Sequence, residues 1–315
     1  MTQPKIALLG AGNIGGTLAH LALLKRLGSV VLFDIVPGLA QGKALDLCQS
    51  MGLEGGSASL VGTDCISDIS CADVVIVTAG FPRAPGMSRD DLLEKNASVI
   101  KSLGYEIKEH APQAFVIVVT NPLDAMVWVM KEATGFPPER VVGMAGILDS
   151  ARFRSFLSEA LGIAVCDIES MVLGGHGDLM VPLPRYTTIS GIPLTEFVER
   201  GALSAERLEA IVDRTRKGGG EIVALLKAGS AFYTPASAAL LMAESYLYDK
   251  KRLLPCAAWL DGPYGVNQVY AGVPITIGRG GVEKIWQLNL TEAELSLFHA
   301  SIEGVKELIQ QLKGK

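Results

Sequence analysis

The chain has 315 residues, 49% of them hydrophobic and 19% charged, with a formal net charge of −5. That supplies ample apolar material for a buried core and excludes intrinsic disorder, and the acidic balance gives no electrostatic case for nucleic acid or an anionic membrane as partner. A length of 315 residues exceeds the usual single core, so two intimately joined domains are expected, 1–144 and 145–315.

The first apolar run, Lys5-Ile6-Ala7-Leu8-Leu9, is a strand that begins almost at the N-terminus, leaving no room for a signal peptide; a cytoplasmic location is expected. It is followed by Gly10-Ala11-Gly12-Asn13-Ile14-Gly15 and then by an amphipathic helix carrying Leu18, Leu21 and Ala22. Strand, glycine turn and helix in this order form a phosphate cradle. Gly10 permits the tight turn, Gly12 lets the backbone approach a pyrophosphate, and Gly15 lets helix and strand pack closely. A second run, Val30-Val31-Leu32-Phe33, ends in Asp34, nineteen residues after Gly15. At that spacing a carboxylate accepts hydrogen bonds from the adenine ribose hydroxyls and repels a 2′-phosphate, so NAD is expected rather than NADP. A plain strand-ending turn is the alternative for Asp34.

Strand and helix signals then alternate. A helix is predicted over 38–51, a strand over 57–61, and a buried strand over 73–77 that ends at Thr78-Ala79-Gly80. A long helix over 89–110 leads to a strand at 115–119, and a shorter helix after Asn121 leads to Val141-Val142-Gly143. Short apolar runs without polar alternation belong to a parallel sheet covered on both faces. The fold class is therefore a doubly wound α/β sheet, with ligands at the carboxyl ends of its strands. The most apolar stretch, 114–130, is interrupted by Asn121, Pro122 and Asp124 and does not read as a membrane span.

The second half changes character near Ala145. It offers a helix over 149–161, a strand over 167–173, mixed segments over 182–192 and a long helix over 204–227 that Gly218-Gly219-Gly220 should loosen or kink. Another helix follows Pro235, then strands near 253–260 and 269–277 and a helix over 291–312, which together make an α+β substrate domain. The five cysteines are odd in number and form no CxxC pair, so they read as thiols of a reducing compartment. No metal is expected.

Residues 174–178 read Gly-Gly-His-Gly-Asp and set His176 at a strand end, with glycines removing side-chain bulk on both sides. Imidazole changes charge near neutral pH, which suits it to proton transfer. A solvated turn histidine would look the same in isolation; the nucleotide site upstream favours the catalytic reading. His20, His110 and His299 lie on helices and read as packed or exposed.

The Gly-Ala-Gly-Asn-Ile-Gly run, Thr78-Ala79-Gly80, the loop from Arg83 to Arg89, Thr120-Asn121-Pro122, Leu148-Asp149-Ser150-Ala151-Arg152 and Gly-Gly-His-Gly-Asp occur here in an order and spacing that resemble the lactate/malate dehydrogenase family, in its lactate-dehydrogenase-like branch, over essentially the whole length. The resemblance implies an N-terminal Rossmann domain and reversible, NAD-dependent oxidation of (S)-malate to oxaloacetate. It implies His176 as proton acceptor and donor, Asp149 as its carboxylate partner, and Arg152 as the clamp on the substrate's C1 carboxylate. Arg89 would polarise the carbonyl oxygen and Arg83 would pair the C4 carboxylate, from a loop able to close over the acid. Asn121 would touch the C2 oxygen or the nicotinamide, and Ser230 would lie near the substrate. The cofactor site would comprise Gly10, Ala11, Gly12, Asn13, Ile14, Gly15, Asp34, Thr78, Ala79, Gly80, Asn96, Val119 and Asn121. A homodimer or homotetramer is implied. A lactate-specific enzyme is the runner-up, disfavoured by Arg83, for which a methyl group offers no charge partner; a non-catalytic NAD-responsive regulator is the third reading, disfavoured by His176, Asp149 and Arg152.

Overall fold

The computed structural model describes residues 3–56, 59–82 and 89–313, without the side chain of Arg89. The first half alternates as expected: β1 (Lys5–Leu9), α1 (Asn13–Leu24), β2 (Ser29–Phe33), α2 (Leu39–Met51), β3 (Leu60–Thr63), β4 (Val74–Val77), α3 (Arg89–His110), β5 (Phe115–Val118), α4 (Leu123–Thr134) and β6 (Val141–Gly143). Every residue of Val74-Val75-Ile76-Val77 and of Phe115-Val116-Ile117-Val118 is completely buried, which is why these runs show no polar alternation. The six strands are parallel in the order β3-β2-β1-β4-β5-β6. The chain reverses its winding between β1 and β4, so a crevice opens above the carboxyl ends of those two strands.

The second half continues through α5 (Gly146–Leu161), β7 (Ile168–Glu169), β8 (Val172–Leu173), β9 (Val181–Pro182), β10 (Thr188–Ile189), β11 (Ile192–Pro193), α6 (Leu194–Glu199), α7 (Ala205–Leu226), α8 (Tyr233–Leu247), β12 (Arg252–Asp261), β13 (Asn267–Gly278), β14 (Gly281–Ile285) and α9 (Glu292–Lys313). Two features depart from the sequence reading. The strand expected over 167–173 is two short strands in different sheets, β7 pairing with β10 and β8 with β9. The helix α7 also runs unbroken through Gly218-Gly219-Gly220.

Strands β12, β13 and β14 extend the parallel sheet to nine strands: β12 lies antiparallel to β6, with Ala257 opposite Gly143. One apolar core spans both halves, from Ile6 and Leu8 through Phe115 to Tyr270 and Phe298. A second cluster, including Phe153, Leu157, Ile168, Leu194 and Ile211, packs α5 against α6 and α7. Burying each such leucine or isoleucine contributes roughly 1.5–3 kcal/mol, so α5 is held firmly on both of its apolar sides. Among the described residues no helix is long and apolar enough to cross a membrane.

Candidate active site

The crevice above β1 and β4 is shaped by glycines. Gly10 sits at φ +107°, and a Cβ there would come within 2.8 Å of both Ala79 N and Thr78 Oγ1. A Cβ on Gly15 would lie 1.8 Å from the carbonyl oxygen of Gly10, so only glycine lets α1 approach the turn. Gly12 differs from both: it is exposed, caps α1, and a Cβ there would meet no atom within 4 Å. Among the described residues no side chain caps α1, and its first turn carries no acidic residue. The helix therefore presents its free N–H groups to open space, a cradle that fits a dinucleotide pyrophosphate.

Asp34 follows the last residue of β2 and reaches back to the glycine turn. Its Oδ2 accepts the Ala11 N–H at 2.7 Å and its Oδ1 accepts the Val36 N–H at 3.0 Å. The carboxylate thus braces the glycine turn from beneath. Each oxygen retains a further lone pair for a ribose hydroxyl. Thr78 Oγ1 holds the other side of the turn, donating toward the carbonyls of Leu9 and Gly10 at 3.2 and 3.1 Å. Ala79 and Gly80 follow on the same rim, and Val119 is buried at the end of β5, its N–H bonded to Val77 O. Asn13 is exposed in the first turn of α1 and Ile14 is half-buried beside it.

Asn96, also expected at the cofactor, stands behind the rim of the crevice. Its side chain is 1% exposed; Oδ1 accepts the Phe81 N–H, while Nδ2 donates to Phe81 O and to Asn121 O. It ties together the two loops at the ends of β4 and β5, so its bearing on the crevice runs through their placement. Asn121 itself is exposed at the end of β5. Arg83 lies outside the described residues, and of Arg89 only the backbone, in the first turn of α3, is described.

The second group forms on α5 and the loop after β8. Asp149 and Arg152 stand three residues apart and share a helix face. Asp149 is 2% exposed and bridges an imidazole and a guanidinium: Oδ2 lies 2.8 Å from His176 Nδ1, and Oδ1 lies 3.4 Å from Arg152 Nη1. A carboxylate can only accept, so Nδ1 carries the proton and Nε2 is the ring nitrogen that Asp149 does not engage. Burial alone would lower the proton affinity of the imidazole. The charge and hydrogen bond of Asp149, aided by the charge of Asp124, outweigh it, so His176 is raised above the ordinary histidine value although Arg152 acts the other way. The His176 side chain keeps 14% of its surface accessible, enough for a small acid to reach it.

Sequence reasoning did not foresee what holds these groups in place. Gly218 lies under the Arg152 side chain: a Cβ there would be 2.3 Å from Arg152 Cδ and 2.7 Å from Nε. The triple glycine that was expected to kink α7 instead lets the guanidinium lie across the helix, and Arg152 Nη1 reaches Thr215 O at 3.5 Å. The His176 loop is pinned at three points. Gly174 and Gly272 of β13 exchange backbone hydrogen bonds, Ser301 Oγ on α9 accepts the Gly175 N–H, and Asp124 Oδ2 on α4 accepts the His176 N–H at 2.7 Å. Ser230 is exposed between α7 and α8, and among the described residues no hydrogen bond joins it to this cluster.

Residues 4–143 match the NAD-binding domain of lactate/malate dehydrogenases, and residues 147–315 match their alpha/beta C-terminal domain. The chain belongs to the lactate/malate dehydrogenase family. Its resemblance to individual members is close. It is 58% identical over 314 residues to the malate dehydrogenase of Cereibacter sphaeroides, covering all of this chain and 98% of the relative. Among solved structures, malate dehydrogenase from Cryptosporidium parvum superposes with a TM-score of 0.97 at 48% identity, covering 100% of both chains. A lactate dehydrogenase from the same organism, complexed with lactic acid and nicotinamide adenine dinucleotide, also superposes at 0.97, with 43% identity over 100% of this chain and 99% of the other. Family membership makes the chain an NAD-dependent oxidoreductase and gives the glycine cradle its ligand.

Proposed function

We propose that the protein is a malate dehydrogenase that interconverts (S)-malate and oxaloacetate, with residues 1–144 binding NAD and residues 145–315 supplying the substrate and proton-transfer groups. The observation that carries this reading is the Asp149 bridge, with His176 at 2.8 Å and Arg152 at 3.4 Å, anchored beside the nucleotide crevice. NAD, held at the glycine turn and by Asp34, would supply the hydride acceptor for C2 of malate and the hydride donor for C2 of oxaloacetate.

The chain's own residues do the rest. Neutral His176 takes the C2 hydroxyl proton at Nε2, and Asp149, fixed at Nδ1, stabilises the imidazolium that results. In oxaloacetate reduction the same nitrogen returns the proton. Arg152 pairs the C1 carboxylate with the planar fork of its guanidinium. Arg89 stabilises the charge developing on the C2 oxygen, with Asn121 as a further hydrogen-bonding group there. Arg83 pairs the C4 carboxylate, which separates a dicarboxylate from lactate. Ser230 is assigned a minor place at the edge of the substrate site. The 58% identity to a malate dehydrogenase along the whole chain supports the four-carbon substrate.

A lactate dehydrogenase is the second reading, since one superposes as closely as a malate enzyme does. NADH loss followed in parallel with oxaloacetate, with pyruvate and with no acceptor decides between them. Oxaloacetate is expected to be reduced with the higher kcat/KM; a preference for pyruvate establishes the second reading, and loss with neither points to a regulator. The same reading includes a cytoplasmic location and assembly as a homodimer or homotetramer. Leu45 on α2 and Leu225 on α7, 62% and 76% exposed, supply apolar surface for a second copy to cover. Sedimentation at micromolar concentration tests the assembly.

A further inference from the structure

Asp124 is the one charged side chain of the apolar stretch 114–130, and its surroundings give it a part in the chemistry. It stands in the first turn of α4, two residues after Pro122, and is 5% exposed. One carboxyl oxygen, Oδ2, accepts the His176 N–H at 2.7 Å. The other, Oδ1, is buried and, among the described residues, without a hydrogen-bond partner. An ionised oxygen so placed is costly, and a structural anchor for one N–H group could have been an asparagine or a serine. We infer that Asp124 is a second positioning carboxylate of the proton-transfer group: it fixes the backbone that carries the imidazole and, with Asp149, sets the proton affinity of His176.

The inference rests on His176 being the proton carrier. Two carboxylates then flank the imidazole from different elements, Asp149 from α5 at Nδ1 and Asp124 from α4 on the backbone side. Arg152, also on α5, is the cation that opposes them. Facing Asp124 in turn are His176 and, across the site, Asp149; from α9 the hydroxyl of Ser301 accepts the neighbouring Gly175 N–H. Burial, with a smaller push from the charge of Asp149, raises the Asp124 carboxyl to about 6, while the His176 N–H, the charge of His176 and the backbone N–H of Asp124 itself hold it down. Each group bears on the charge of the other, so the two titrations are coupled. Protonating the imidazole favours the Asp124 anion, and the anion in turn retains the imidazole proton. Asp124 also immediately follows the Asn121-Pro122-Leu123 segment of the cofactor-side loop, so one short stretch of α4 reaches both the crevice and the proton carrier.

Asp124→Asn keeps an oxygen acceptor for the His176 N–H and removes the charge. Two readouts are needed: kcat/KM for oxaloacetate from pH 5 to 9.5, and the titration of the His176 ring by nitrogen NMR, assigned by comparison with His176→Asn among the chain's four histidines. Reduction requires the imidazolium, so its rate falls as pH rises through the His176 midpoint. In Asp124→Asn that midpoint should move down by roughly 0.5–1 unit, and the rate above it should fall about three- to ten-fold, with NADH binding unchanged. A midpoint that stays in place or moves upward overturns the proposal. Should the variant fail to fold, the parent decides: its His176 signals should show a second inflection below the main one, and a single-step curve overturns the proposal equally. His176→Asn keeps the two claims apart. Turnover surviving in that variant removes His176 as proton carrier, whereas an inactive His176→Asn beside an unmoved midpoint in Asp124→Asn removes Asp124 alone.

Discussion

Gly218→Ala sets two effects of opposite sign against each other. In the interior of α7, replacing glycine by alanine stabilises the helix by up to about 1 kcal/mol, and by itself would raise Tm by about 2 °C in a chain of this size. The new Cβ, however, would stand 2.3 Å from Arg152 Cδ, 2.7 Å from Nε and 3.3 Å from Cγ. Those atoms lie in the middle of the arginine side chain, so the clash cannot be relieved by turning the guanidinium alone; the whole head group must move. Losing a charge-assisted contact to a carboxylate costs about 1.5–3 kcal/mol, which is roughly ten- to 150-fold in kcat/KM for oxaloacetate. Gly220→Ala is the matched comparison, since a Cβ there meets nothing within 4 Å. Steady-state kinetics, NADH fluorescence titration and thermal unfolding of both variants separate the effects: Gly220→Ala should gain stability and keep its activity, while Gly218→Ala should lose kcat/KM with NADH affinity retained. If Gly218→Ala keeps its catalytic efficiency within two-fold of the parent, Arg152 is not the substrate clamp. A matching loss of NADH affinity would place the damage elsewhere.

His176→Asn should nearly abolish turnover while leaving NADH fluorescence titration unchanged, because the proton carrier and the glycine cradle sit on separate elements; substantial residual turnover would assign the proton to another group. Asp34→Ser should weaken NADH use roughly ten-fold or more and relieve the penalty on NADPH, since it removes the charge facing a 2′-phosphate together with the brace on the Ala11 N–H. Catalytic efficiencies with both cofactors test this, and an unmoved ratio would displace Asp34 from the ribose. Arg83→Gln should shift preference from oxaloacetate toward pyruvate by about one to two decades, through loss of the contact to the C4 carboxylate; equal ratios of the two efficiencies in parent and variant would take Arg83 out of the pocket.

The parallel strands were legible in the sequence because both of their faces are buried: Val74 to Val77 and Phe115 to Val118 are unbroken apolar runs with nothing else to be. The glycine turn was legible for a related reason, since Gly10 and Gly15 occupy positions no side chain can enter. Periodicity fails where a segment is too short to repeat, and so β7 and β8, two residues each, merged into one expected strand. It fails again where a residue serves a distant element. Gly218 looked like a helix fault because the arginine it accommodates is 66 positions earlier in the sequence. Asp124 looked like an interruption of a hydrophobic run because the amide it accepts lies 52 positions later. Asn96 was expected at the cofactor site, and its three hydrogen bonds to Phe81 and Asn121, which the sequence does not show, arise when two loops are brought together. In each case the identity of the residue held the clue, a glycine, a charge or an amide where packing alone would favour something else.

The pairing of β12 with β6 has a consequence for the chain as it is made. Strand β6 is wholly buried and, until β12 arrives, forms the bare margin of a six-stranded sheet. The residue opposite Gly143 is Ala257, which leaves the ribosome 114 residues later, or about 6–23 s at ordinary rates of synthesis. During that interval the nascent chain carries an unpaired apolar strand edge of the kind that invites pairing with other chains. Cut free of the later half, the nucleotide-binding half would keep this apolar edge bare, and the interval before β12 arrives is when the growing chain is most open to wrong pairing.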